Sequence, residues 1–179
     1  MLTQSPRPKL SQRLSRWLLA CLWISVTAWG VGLGGKLFEF VVVISAWAAN
    51  PPASLVLLPY GPRYPLNPGD FFQPLSALLV IGTVGSLIAG WPATRTYKVW
   101  LWLPFILLLV IWAATPTLFW PIIYDLYGAS TGKRPLTEAA TQALVNQWLW
   151  YDWIRTFFIA LGFACAIHAI STQHRATGA

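Results

Sequence analysis

The sequence predicts an all-α fold, a bundle of four transmembrane helices. Three observations carry that expectation. Only 9% of the 179 residues are charged and 56% are hydrophobic, whereas soluble domains carry about a quarter charged residues. Four apolar stretches alternate with proline-rich or polar segments. Twelve tryptophans suit a chain whose surface meets the lipid headgroup level, where indole rings concentrate. The length fits one integral membrane domain, 1–179, with no separate soluble enzyme.

The first helix is expected over about 17–48. Arg7, Lys9, Arg13 and Arg16 precede it, which resembles a signal peptide, but the apolar run exceeds an h-region of roughly 7–15 residues and reads as a retained span. "NPPAS" ends it, because Pro51 and Pro52 cannot continue a helix. Six prolines between Asn50 and Asp70 predict a stiff, extended loop. Asp70 with Gln73 reads as a capping box for a second helix over about 71–91. The third helix, about 97–124, contains Pro104, Pro116 and Pro121 and should kink there. Thr137 can cap the fourth, about 138–171. Small residues four apart, Gly30/Gly34, Gly82/Ser86/Gly90 and Gly162/Ala166, predict close helix packing.

An even number of spans puts both termini on one side. That side holds Arg7, Lys9, Arg13, Arg16, Arg95, Lys98 and Arg175, and the other side's loops hold Arg63, Lys133 and Arg134. This bias predicts cytoplasmic termini, in a bacterial inner (plasma) membrane. The basic N-terminal cluster suits anionic headgroups. It lacks the aromatic–basic interleaving that binds single-stranded nucleic acid, so the expected partner is the lipid bilayer and no nucleic acid.

Several chemistries are set aside. Cys21 and Cys165 form no CxxC and read as apolar packing residues. Gly30, Gly32 and Gly35 match GxGxxG, but no strand precedes them. His168 stands alone within the spans, and no Cys/His/carboxylate group has metal-ligand spacing. No metal or cofactor is expected. All five acids fall on the non-terminal side of the bundle, away from both histidines, which leaves no Ser–His–acid arrangement.

The candidate site comes from depth. At about 1.5 Å rise per residue, Lys36 and Glu39 of the first helix reach the level of Asp152 and Arg155 of the fourth. Asp125 ends the third helix nearby and reads as a solvated helix-end residue, while Asn146 is left open between the cavity and water. Trp148, Asp152 and Arg155 share one helix face. Lone ions are costly in hydrocarbon, so Glu39 is the expected partner of Arg155. Lys36 is expected to snorkel.

The segments "GLGGKLFEFVVVISAWAANPPASL", "FFQPLSALLVIGTVGSLIAGW" and "NQWLWYDWIRTFFIALGFACAIHAI" resemble, in this order, the DUF1772 family of small four-helix membrane proteins, which includes the anthrone oxygenases. The resemblance rests on Gly34, Gly35, Glu39, Trp47, Pro51, Pro52, Trp150, Trp153 and Arg155. It implies a four-helix bundle and, for its oxygenase branch, oxidation of an anthrone-like aromatic by O₂ without a recognised metal or flavin. Under that implication Glu39 or Asp152 is the base, Arg155 holds the oxyanion, and Trp47, Trp148, Trp150 and Trp153 form the aromatic slot. The chain departs from the expected chemistry in having no histidine at the level of these charges. The alternative is a non-enzymatic membrane module, which binds a hydrophobic ligand or serves a membrane-protein partner and whose Glu39 and Arg155 are structural.

Overall fold

The computed structural model describes residues 12–60, 64 and 66–177, and side chains from Arg16 to Gln173. Arg7, Lys9, Pro62, Arg63 and Pro65, and the side chains of Arg13 and Arg175, lie outside the described residues. Every described regular element is helical. Four helices are long and apolar enough to cross a bilayer: Arg16–Trp47, Pro68–Ala89, Arg95–Ser130 and Glu138–Gln173. Their outward faces expose Leu78, Ile81, Ile88, Val99 and Ile106, a surface that water would penalise and lipid accepts. This fits an integral membrane protein. One end of the bundle carries the termini and the other, the loop end, carries the two long connections.

The boundaries follow local chemistry. The first helix starts by Gln12, stays α-helical to Phe38 and widens to a π-helix over Glu39–Ile44. The second starts at Pro68, earlier than expected, because the capping box is Asn67 with Asp70 and not Asp70 with Gln73. The Asn67 side chain accepts from the Gly69 N–H at 2.7 Å, and Asp70 accepts from the Asn67 N–H at 2.7 Å. Proline at the first helical position then costs nothing, since that N–H has no helical partner. The third helix continues to Ser130, past the expected end at 124. Pro104 sits within its α-helical part, and a π-helix over Thr115–Phe119 takes up Pro116. Thr115 and Thr117 donate back to the carbonyls of Ile111 and Ala113 at 2.8 and 2.7 Å. Thr137 caps the fourth helix by accepting from the Ala140 N–H at 3.2 Å.

The proline-rich loop is not extended throughout. Ala53–Leu57 forms a 3₁₀ turn, tied down where the Ser54 hydroxyl donates to the Trp47 carbonyl at 2.7 Å. Leu55 and Leu58 from this turn pack with Ile122, Leu126, Val145 and Trp148 into one core cluster. The loop end therefore carries an apolar cap.

The first span packs along the second and the fourth, and the fourth along the third. Gly82 marks a close backbone approach of the first two spans: a Cβ there would lie 2.6 Å from the backbone nitrogen of Ser25. Gly162 admits the Trp29 ring, and Gly34 faces open space, contrary to the expected packing role. At the terminal end the Tyr97 hydroxyl donates to the Ala169 carbonyl at 3.1 Å, joining the third and fourth spans. Gly82→Leu should therefore force the first two spans apart and lower stability by about 1–3 kcal/mol, the usual cost of overpacking. Thermal unfolding in detergent reads this, and an unchanged midpoint would refute the close approach.

The second and third spans behave differently. They meet at the terminal end, where Leu101 fills the space over Gly90. Among the described residues, no Cα of Pro68–Ala89 lies within 8 Å of any Cα of Thr115–Ser130. The two helices diverge toward the loop end, and a cavity opens between them.

Candidate functional site

Four charges meet beneath the apolar cap. Lys36 and Glu39 lie three residues apart, as do Asp152 and Arg155, and residues at that spacing are neighbours on one helix face. Each pair closes within its own helix. The Lys36 ammonium donates to Glu39 Oε2 at 2.6 Å. Arg155 donates to Asp152 Oδ1 through Nε at 2.9 Å and also through Nη2. Lys36 then crosses between helices to the same Asp152 Oδ1 at 2.9 Å. The result is a chain, Glu39–Lys36–Asp152–Arg155, with two charges of each sign.

This corrects two sequence expectations. Glu39 is not the ion-pair partner of Arg155; Asp152 is. Lys36 does not snorkel but is 2% exposed and bridges the first and fourth spans. For Arg155 the reason is geometric, since Asp152 lies one turn away on the same helix face; for Lys36 it is that two carboxylates, one on each helix, meet its ammonium. The π-helix starting at Glu39 adds to this. Its wider turn shifts the helix register at the depth where the charges meet, and such turns recur at functional sites.

The four charges differ in what they face. Glu39 and Arg155 line a cavity of about 910 Å³ between the first, second, third and fourth spans. Lys36 and Asp152 are not on its wall; they stand behind and hold the two lining groups. Aromatic rings complete the wall. The Arg155 guanidinium lies over the Phe119 ring, 3.9 Å from its centroid. Trp148 meets Phe119 edge-on at 6.0 Å. The Lys36 ammonium sits 5.7 Å from the Trp148 ring and 5.9 Å from Phe72. Cations over aromatic faces gain roughly 0.5–2 kcal/mol each, which helps hold them in an apolar setting.

The expected aromatic slot is only partly present. Trp148 lines the cavity. Trp47 is buried behind it, edge-on at 5.2 Å, and supports it without reaching the cavity. Trp150 and Trp153 are 65% and 54% exposed and point away. Residues 148, 152 and 155 share the inward face, so 150 and 153 fall on the outer flank and suit a headgroup belt. Asp125 pairs with Arg134 at the helix end and does not join the cluster. Asn146 accepts from Gln142 at 3.1 Å on the exposed side.

Three lining residues carried no sequence signal strong enough to single them out. Tyr60 comes from the loop over the site. Burial, and then the negative charge of Glu39, push its phenol up, so it stays protonated. Trp29 forms the deep end of the cavity, about ten residues or 15 Å below Glu39 along the first helix. Phe119 carries Arg155. The indole N–H groups of Trp29 and Trp148 and Asp152 Oδ2 are buried and find no hydrogen-bond partner within the protein. An unpaired buried donor costs about 1–3 kcal/mol.

Chemically, the site offers a large apolar chamber with aromatic walls and, at one end, a carboxylate and a guanidinium. A carboxylate accepts a proton, and a guanidinium stabilises an anion. Among the described residues no group of three His, Cys, Asp or Glu side chains is placed to hold a metal ion.

Comparison with known proteins adds one match. The family model described as "Anthrone oxygenase" matches residues 66–165, from the second span to most of the fourth. Neither the curated proteins nor the solved structures contain a match. The matched segment holds Trp148, Asp152 and Arg155, and Lys36 and Glu39 precede it. With more than half of the chain matched, and with four apolar helices around one chamber, this protein belongs to the anthrone oxygenase family, the DUF1772 family.

Proposed function

We propose that the protein oxygenates a hydrophobic, anthrone-like aromatic with O₂ in this cavity, using its own side chains. The observation that carries the reading is that Glu39 and Arg155 face one apolar chamber while Lys36 and Asp152 brace them from behind. An anthrone has a doubly benzylic CH₂ opposite its carbonyl. Glu39 takes one of those protons, and the charge moves to the carbonyl oxygen, where Arg155 stabilises it. The electron-rich carbanion passes one electron to O₂ and combines with it, and the returning proton gives a hydroperoxide. Loss of the second benzylic proton breaks the O–O bond, forms the new C=O and releases water. The balance is one CH₂ and one O₂ giving one C=O and one H₂O.

O₂ uptake by the protein in liposomes with an added anthrone tests this. One O₂ per quinone formed is expected, with turnover lost in Glu39→Gln and Arg155→Ala. Turnover unchanged in both would remove Glu39 and Arg155 from the chemistry. A second reading has its own support: the charge chain ties the first span to the fourth, as a structural clamp in a non-enzymatic module would. Under it, both variants lose stability while no aromatic ketone is turned over by the wild type.

The seven-to-three distribution of Lys and Arg supports cytoplasmic termini, with the site near the opposite face of the membrane. Single cysteines at Gly132 and Thr172, in a background lacking Cys21 and Cys165, should differ in intact cells. An impermeant thiol reagent should label position 132 only. The opposite pattern would invert the topology.

A further inference from the structure

We propose that the cavity is loaded sideways from the bilayer, through the cleft between the second span and the π-helical part of the third. Its ligand is then a planar, lipid-dissolved molecule that enters with its polar end toward the charges. The inference rests on the substrate-cavity reading above and adds the route and the physical state of the ligand.

Four observations lead there. The second span makes no close backbone approach to Thr115–Ser130 among the described residues, so no helix contact seals that side. The side chains along the divergence belong to the cavity and to the outer surface at once. Gln73 and Ala77 form one lip; Trp112, Pro116, Trp120 and Tyr124, spaced four apart along the third helix, form the other. All six are exposed and all line the chamber.

Depth is the third observation. Gln73 and Ala77 lie five and nine residues beyond Pro68, roughly 8–14 Å down the helix from the loop end. That is within the apolar part of a span about as long as a hydrocarbon core is thick, ~30 Å. Along the third-helix lip the Thr115 and Thr117 hydroxyls donate to their own helix, so neither presents an unpaired donor to lipid.

The fourth observation concerns the alternative route. Leu55 and Leu58 pack onto Leu126, Val145 and Trp148 above the charges. This cluster covers the charges against water on the side of the first and fourth spans. A lipid-borne ligand has only to slide between side chains that already face lipid.

The test is photolabelling of the full chain in liposomes with a bilayer-dissolved benzophenone, followed by mass-spectrometric mapping. Adducts on the lip residues and on the interior Phe72 and Trp148 are expected, rising with the probe's mole fraction in lipid and not with the aqueous volume. Ala77→Trp fills the lip and should lower interior adducts several-fold while leaving those on lipid-facing Ile81 unchanged. Trp112→Ala widens the lip and should raise interior adducts, which keeps the idea testable if the first variant folds poorly. Interior labelling that ignores both variants, or that concentrates at Leu58 and Tyr60 and follows aqueous concentration, would overturn lateral loading. Labelling needs no turnover. An inactive wild type with lip-dependent labelling would therefore defeat the oxygenase reading alone, and an active one with lip-independent labelling would defeat lateral loading alone.

Discussion

Glu39→Gln should slow turnover of an anthrone-like ketone by about 10²–10⁴-fold, the span general-base catalysis contributes. The amide keeps the size of the side chain and an acceptor oxygen for Lys36, so the cavity wall should stay in place. What is lost is the ability to take a proton from carbon. Glu39 is suited to that role because it lines the cavity and has one strong partner, Lys36, at 2.6 Å. Asp152 is fully buried and its Oδ1 takes both Lys36 and Arg155. The structure thus favours Glu39 over Asp152 as the base, a choice the sequence left open. The measurement is initial rate of quinone formation with the variant's unfolding midpoint alongside. A variant of near-native stability that keeps its rate would eliminate Glu39 as the base.

Lys36→Met should have the largest effect on stability, about 3–5 kcal/mol, the usual cost of breaking a buried ion pair by removing one partner. Lys36 is 2% exposed and touches two carboxylates, one of them fully buried. Without its ammonium, Glu39 and Asp152 face each other across the helix interface with only Arg155 left to offset them. The cluster goes from balanced to one excess negative charge in a setting that screens poorly. Methionine fills a similar volume, which separates charge loss from cavity formation. Adding Asp152→Asn should restore part of the stability by removing the excess charge. A double-mutant cycle on unfolding midpoints reads the coupling. Additive losses would mean that the bridge between the first and fourth spans contributes little.

Much of the fold was legible because lipid imposes a simple rule. Backbone polar groups must pair internally, so long apolar runs become helices, and their number and approximate limits follow from composition. Where the limits moved, local hydrogen bonding moved them. Asn67 offered a better cap than Asp70, and two threonines carried the third helix through Pro116. The π-helices at Glu39–Ile44 and Thr115–Phe119 left no periodicity to read, because one extra residue in a turn is a small change in an almost uniformly apolar segment.

The sequence by itself determined that four helices form, and that Lys36, Glu39, Asp152 and Arg155 reach one depth, since rise per residue is constant and hydrocarbon drives charges to meet. Only the tertiary structure decided which charges pair, which two face the chamber, and which tryptophans line it. Those outcomes depend on helix rotation and on how far the second and third spans diverge. Rotation and divergence are settled by side-chain packing between helices distant in sequence, such as Gly82 on Ser25 and Leu101 over Gly90, and no property of a single helix encodes them.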